Sequence, residues 1–452
     1  MLLKFYLVKP IYFANFTIKC NSSLQKKRAY TNRYLQLPNM KNRILIILLL
    51  SLNFLACSQK EKPKTINKKE IKEDLNEILT DIKDNYIYLN EKDVDLNCIK
   101  EKYTEKIDLI KSEEEIVLFF EYLLDEFYDS HITLNTNRKS SFRLNSPIHS
   151  KTENKKTIIT HVWQNQIENL TENIIGAEIL KFNTKEFNEV IDQFPTECSN
   201  KKNEIVREWI GNKILAGRYN EPRNLELKLS NGKIIELNLD SLKIKKHNSL
   251  LSFKNVDNIG IITINNSLGE NVLITEFDKV LNSLLETKGL IIDLRNTVSG
   301  GNSYVARGIM GRFIDKNLPY QKHQTFDESW DNQPLVKRSW IEYVSPRESQ
   351  YKNPVVILVG KWTGSMGEGL AIGFEGINRA EIVGTEMEQL AGAIFNFGFK
   401  YQKFGFQLSQ EKLYHINGTP REKYFPKNYV KQTEIRKDEI MEKGMKIIIK
   451  SR

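Results

Sequence analysis

Cysteine and histidine are scarce in this chain of 452 residues, which has four of one and six of the other. No spacing among them suggests a zinc site. A P-loop and a G-x-G-x-x-G fingerprint are both missing, so no metal or other cofactor is expected. After Cys57 only Cys98 and Cys198 remain. Two cysteines so far apart do not make a disulfide framework. Acidic residues are absent from the first 57 positions, which hold nine Lys and Arg. Taking those nine from the formal net charge of +10 leaves +1 for the rest. The basic character therefore belongs to the leader, and no nucleic-acid partner is expected. The apolar run of that leader is also too short to span a bilayer comfortably, at about 13 residues against about 20.

From Met40 the leader has two positive charges, Lys41 and Arg43, an apolar stretch from Ile44 to Leu52, and then Leu55-Ala56-Cys57. This is the layout of a secretory signal peptide. The Phe-Leu-Ala-Cys ending resembles a bacterial lipoprotein signal. That resemblance implies lipidation at Cys57 and a membrane-anchored chain in the cell envelope, facing the periplasm or the outer membrane. Residues 1–39 then precede the true start, 40–57 are the signal, and the Lys-rich residues 58–69 are a tether.

What remains has hydrophobic residues enough for a real core, since they make up 40% of the whole chain. Ile71, Leu75, Ile78 and Ile82 recur at helical spacing, and Ser112 with Glu115 forms a capping-box pattern before Ile116–Phe127. A helical segment over 70–135 is expected, ending near Asp129-Ser130-His131 as the pattern turns toward a strand. Residues 150–245 read as a small β-rich module. It has a strand near 174–183, a short helix over 185–194, and a hairpin of 224–229 with 234–239 turning at Asn231-Gly232. That order resembles a PDZ domain with an insertion around 200–223. Residues 250–452 alternate strand and helix, with strands at 259–264, 289–294, 354–360 and 380–384 and helices at 274–285, 303–313 and 366–377. This rhythm predicts an α/β core on a largely parallel sheet, whose sites lie beyond the carboxyl ends of strands.

Two strand ends carry chemistry. Val355–Val359 runs into Gly360-Lys361-Trp362-Thr363-Gly364-Ser365 and then a helical pattern from Met366. A hydroxyl at a strand-turn-helix mouth, beside free N–H groups, suits a nucleophile with an oxyanion site, although a serine there is also an ordinary helix cap. The second strand end, Asp293 to Asn302, holds the pair Gly300-Gly301, which lets backbone approach a ligand closely. A serine nucleophile needs a base, usually His. His131 is the best placed of the six, with Ser130 beside it, and His415 is the runner-up.

Taken together, Asp293–Asn302, Pro354–Ala371 and Gly418–Pro426 resemble the C-terminal-processing (tail-specific) serine protease family. The likeness implies a crotonase-like (ClpP/crotonase-type) α/β core with an N-terminal helical segment and an inserted PDZ-like module. The family places its nucleophile three residues before a Glu, which selects Ser365 before Glu368. Its Ser/Lys style requires a lysine near position 390, where this chain has Leu390, and no lysine lies between Lys361 and Lys400. The resemblance is therefore to the tricorn-core-like Ser/His branch. It implies Ser365 as nucleophile, His131 as base, Ser130 orienting the imidazole, and Glu422 completing a tetrad through Ser130. Met366 N–H and one from Gly300 or Gly301 would form the oxyanion hole. The expected activity is hydrolysis of peptides or unfolded proteins. The alternative is a non-catalytic binding lipoprotein on the same fold.

Overall fold

The computed structural model describes residues 66–327 and 336–451. The expected signal at 40–57, its Cys57 and the tether as far as residue 65 lie outside the described residues. No described helix is long and apolar enough to cross a membrane.

Three helices lead, α1 (Lys68–Asn85), α2 (Leu96–Lys106) and α3 (Glu113–Asp125). The first begins inside the expected tether, because the Asn67 side chain accepts from the N–H groups of Lys69 and Glu70 and so satisfies two orphan donors of the first turn. Ser112 caps α3 as expected, accepting from Glu115 N at 3.2 Å. The Glu115 carboxylate reaches back to Lys111 N, one residue further than a capping box requires. The apolar stripe Ile71, Leu75, Ile78 and Ile82 packs with Phe120 and Phe127 against Phe399, Phe406 and Leu408. The chain then turns sharply, and β1 (Thr133–Leu134) pairs antiparallel with residues 406–407.

The β-rich module contains β2 (Ile148–Glu153), β3 (Lys156–Val162), β4 (Glu178–Phe182), β5 (Lys185–Glu186), α4 (Phe187–Asp192), α5 (Glu204–Ala216), β6 (Asn224–Lys228) and β7 (Ile234–Asn238). Its sheet runs β2-β3-β4-β6-β7. The hairpin turns where expected, with Gly232 at φ +85°. The stretch 200–223 is not a loop-like insertion. Most of it is α5, whose Val206, Ile210 and Ile214 are buried against Phe187 and Ile191. Cys98 in α2 and Cys198 before α5 are joined in a disulfide with Cα atoms 6.1 Å apart. With no disulfide framework expected from two cysteines so far apart, this single bond was not anticipated. Their proximity follows from the docking of the helices on the module, which sequence spacing does not express.

The last part contains β8 (Leu251–Val256), β9 (Ile259–Ile264), α6 (Leu273–Ser283), β10 (Gly289–Asp293), α7 (Ser303–Met310), β11 (Leu318–Asp327), β12 (Val336–Val344), β13 (Val355–Val359), α8 (Met366–Gly376), β14 (Glu381–Gly384), β15 (Ala393–Gly398), β16 (Gly405–His415), β17 (Asn428–Tyr429) and α9 (Glu439–Lys450). Strands order as β17-β14-β13-β10-β9-β8. All neighbours are parallel except β8 with β9. Both faces of β10 and β13 are buried, as a parallel sheet covered on both sides requires. Ile292, Ile357 and Val359 face α6, α7 and α8, while Ile291, Val356 and Leu358 face Ile440 and Ile448 of α9. A second sheet, β1-β16-β11-β12 with β15 on β16, is antiparallel and carries the turn before β1.

Candidate functional site

β13 ends at Val359, and Thr363 then bridges in parallel to Thr297 beyond the end of β10. The Thr363 and Thr297 hydroxyls both donate to the Leu294 carbonyl, at 2.9 and 2.8 Å. The two strand-end loops are thus stitched together, and Ser365 emerges at the first turn of α8 with φ +48° and ψ −112°. That conformation costs a non-glycine residue on the order of 1–3 kcal/mol. The Ser365 N–H donates to the buried Glu368 carboxylate at 2.9 Å.

Gly300 lies against the serine. A methyl group built on it would stand 2.5 Å from Ser365 Cβ, 3.0 Å from Oγ and 2.9 Å from Met366 N, and its φ of +63° favours glycine independently. The Gly300 N–H itself donates to the Thr297 carbonyl at 2.9 Å. Of the two expected glycine donors, the one still free among the described residues is Gly301, and the Met366 N–H is free as well.

Glu368 also ties the serine to the next loop, accepting from Gln389 N at 2.9 Å and Leu390 N at 3.2 Å. The following carbonyl, Ala391, accepts the His131 Nδ1–H at 2.8 Å. With Nδ1 as donor, the neutral His131 ring carries its acceptor lone pair on Nε2. Burial, and secondly the Arg421 charge, lower the imidazole to about 4, so it is neutral at pH 7. Arg421 donates to the carbonyls of Leu390 and Gly392 and clamps the same loop. The turn bearing His131 is held by Asp129, which accepts from His131 N at 2.9 Å and from the Tyr86 hydroxyl at 2.7 Å.

The other expected members of the tetrad are placed differently. Ser130 Oγ accepts from Trp209 Nε1 at 3.1 Å, so the imidazole is oriented by the Ala391 carbonyl instead. Glu422 lies beside Tyr88; the Glu422 Oε2 and Tyr88 hydroxyl atoms are both buried without a hydrogen-bond partner. Burial raises this carboxyl. Ser130, Ala391 and Glu422 nonetheless line one cavity of about 700 Å³. The runner-up base is remote, because His415 Nε2 sits 3.2 Å from Glu375, ten residues along α8 or about 15 Å from the serine end. Leu390, where a dyad lysine would stand, is buried, and its backbone meets Glu368 through the N–H and Arg421 through the carbonyl.

Sequence reasoning missed Ala391 and Arg421, which act through loop geometry, and Glu388, whose carboxyl overlies Gly364 next to the serine. Arg295 serves as a strut rather than a ligand. Its guanidinium spans Asp293 and Asp438, and its carbonyl accepts from Trp163. Trp163 stacks on Trp362 with centroids 5.3 Å apart, which seats the β-rich module against the serine loop.

A strained serine at a helix start, with free N–H groups and a neutral histidine tied to its loop, defines a serine-type peptidase. Residues 258–429 match the model of peptidase family S41, and residues 67–125 match that of the tricorn protease C1 domain. The strand-helix part of the chain is thus similar to that peptidase family and the leading helices to a tricorn-type segment. Comparison with curated proteins gave no match. Among solved structures the fold is similar to mature CPAF complexed with lactacystin, at 14% identity over 85% of this chain and 97% of that one, with a TM-score of 0.57. It is also similar to a putative peptidase from Parabacteroides merdae, at 15% identity over 84% and 96%, with a TM-score of 0.50.

Proposed function

We propose that the protein is a serine endopeptidase of the cell envelope, acting on peptides or unfolded proteins through Ser365 and His131. The observation carrying this reading is the connection from Ser365 N through Glu368 to the loop whose Ala391 carbonyl holds His131 Nδ1. Ser365 Oγ attacks the scissile carbonyl while His131 Nε2 takes its proton. The N–H groups of Met366 and Gly301 receive the developing oxyanion. Collapse breaks the C–N bond, and the imidazolium gives its proton to the leaving amine. Water, deprotonated by the same nitrogen, then attacks the acyl-enzyme and releases Ser365. Ser130 and Glu422 border the cleft; in this scheme they join the imidazole's hydrogen-bond chain once substrate displaces Trp209 from Ser130.

The finer parts of the reading have their own support. A crotonase-like core for 250–452 is favoured by the parallel sheet with the site at its carboxyl end, and a PDZ-like module for 150–245 by its strand-helix-hairpin order. The helical segment 70–135 would then serve to carry the histidine. Envelope location and a lipid on Cys57 rest on the leader pattern, and the Cys98–Cys198 disulfide suits an oxidising compartment. A fluorophosphonate probe tests the core claim. It should label the wild type, and neither Ser365→Ala nor a heat-unfolded sample. An unlabelled wild type that still binds peptide would instead establish a binding protein.

A further inference from the structure

Beside the nucleophile stands a half-buried acid that the mechanism does not use. A methyl group built on Gly364, the residue before Ser365, would collide with Glu388 Oε2. That oxygen is closed from solvent and has no hydrogen-bond partner. Its loop is fixed to the serine twice over, through Glu388 N to the Thr363 carbonyl at 3.0 Å and through Gln389 and Leu390 to Glu368. Glu388 lines the cavity of about 700 Å³ together with Glu208, Lys361, Trp209, Trp362 and Leu390.

Lys361 stands among the carboxyls of Glu386, Glu388, Glu208 and Glu368, and its Nζ donates to the Met387 carbonyl at 3.3 Å. Arg421 adds its charge beside Glu368, and Lys151 adds its own beside Glu208. Glu386 has its own partners in the Tyr429 hydroxyl at 2.8 Å and Lys151 at 3.3 Å. Glu368 has three N–H donors. Glu388 is left without any, and burial followed by the neighbouring Glu368 charge raises it to about 8. At pH 7 Glu388 therefore holds a proton, which a cation brought to the carboxyl would displace.

We propose that Glu388 determines specificity by pairing with the ammonium or guanidinium of the substrate residue on the acyl side of the scissile bond, so that the enzyme cleaves after Lys or Arg. This rests on Ser365 being the nucleophile. Trp209, Trp362 and Leu390 supply apolar walls for the long methylene stem, and the carboxylate at the end of the slot forms a charge-assisted pair.

The test uses the full chain and fluorogenic peptides that differ only at that residue, with fluorophosphonate labelling of Ser365 run alongside. Wild type should favour Lys and Arg over Leu in kcat/KM by about 10- to 100-fold, the range for one hydrogen bond to a charged group. In Glu388→Gln that ratio should fall toward one, chiefly through KM, and Glu388→Asp should recover part of it. Equal use of Leu and Lys by a labelled wild type, or an unchanged ratio in a labelled Glu388→Gln, overturns the proposal while leaving the peptidase reading intact. A wild type that neither labels nor cleaves overturns both.

Discussion

Glu368 accepts the Ser365 amide at 2.9 Å, so the acid three residues into the helix holds the backbone of the residue at its mouth. The same carboxylate receives two more N–H groups from residues 389 and 390, and it is buried throughout. Replacing it by alanine leaves three donors without this partner, of which the buried Leu390 N–H alone would cost about 1–3 kcal/mol. Glu368→Ala is expected to lower the thermal midpoint strongly and to slow fluorophosphonate labelling of Ser365. Unchanged melting would show that the loop does not depend on this acid.

In the proposed mechanism the acid limb of the pH profile is set by His131. An exposed histidine would lose base function near pH 6.5, whereas burial holds this one at about 4. The kcat/KM of the free enzyme should therefore stay high down to about pH 5 and fall near pH 4. The linkage has a definite sign, since between 6.5 and 4 the unfolded chain binds a proton that the folded state refuses. This residue's contribution thus reduces stability as pH falls. A limb at 6.5 in a kcat/KM titration would place the working base elsewhere.

Alanine at position 300 would put a methyl group 3.0 Å from the Ser365 hydroxyl and 2.9 Å from Met366 N, at a φ of +63°. Gly300→Ala should cut kcat by about 10²–10³, comparable to loss of one oxyanion donor. The change should be far larger in kcat than in peptide KM, which steady-state kinetics can separate.

His131→Ala is expected to reduce kcat by about 10²–10⁴, as for a lost general base. His415→Ala should leave the pH profile of kcat/KM in place, because its Nε2 faces Glu375. Parallel losses in both variants would contradict the assignment.

Reduction of the Cys98–Cys198 bond, or Cys98→Ser, should destabilise the folded chain by about 2–5 kcal/mol. Thermal melts with and without reductant, with free thiols counted by mass, give the comparison.

Much of the catalytic half was legible because parallel strands buried on both faces leave continuous apolar runs, as in Val355–Val359, and because glycine and serine punctuate their ends. The helical segment was legible through its Ile71–Ile82 stripe and the Ser112 cap. The β11, β12, β15 and β16 sheet was not anticipated. β11 and β16 bury polar residues such as Gln321, His323, Gln324 and Ser409, while β12 leaves Trp340, Ile341 and Tyr343 exposed, so these strands lack a clean apolar alternation. Within the candidate site, Ser365 and His131 could be proposed from the sequence because the chemistry asked of them needs particular side chains. Ala391, which carries the imidazole through a main-chain carbonyl, could not be named, because any residue type offers that atom. The Ser130–Trp209 contact was likewise hidden, since it depends on how α5 packs rather than on either residue's neighbours in sequence.

The bond between Cys98 and Cys198 closes residues 98–198 into a covalent ring, and His131 lies inside it. A peptidase is exposed to its own kind of chemistry. Should the chain be nicked once anywhere between those two sulfurs, the pieces stay tethered, and the histidine cannot diffuse away from the half of the molecule that holds the serine. On a reducing gel such a molecule would run as fragments, while without reductant it would keep its full mass.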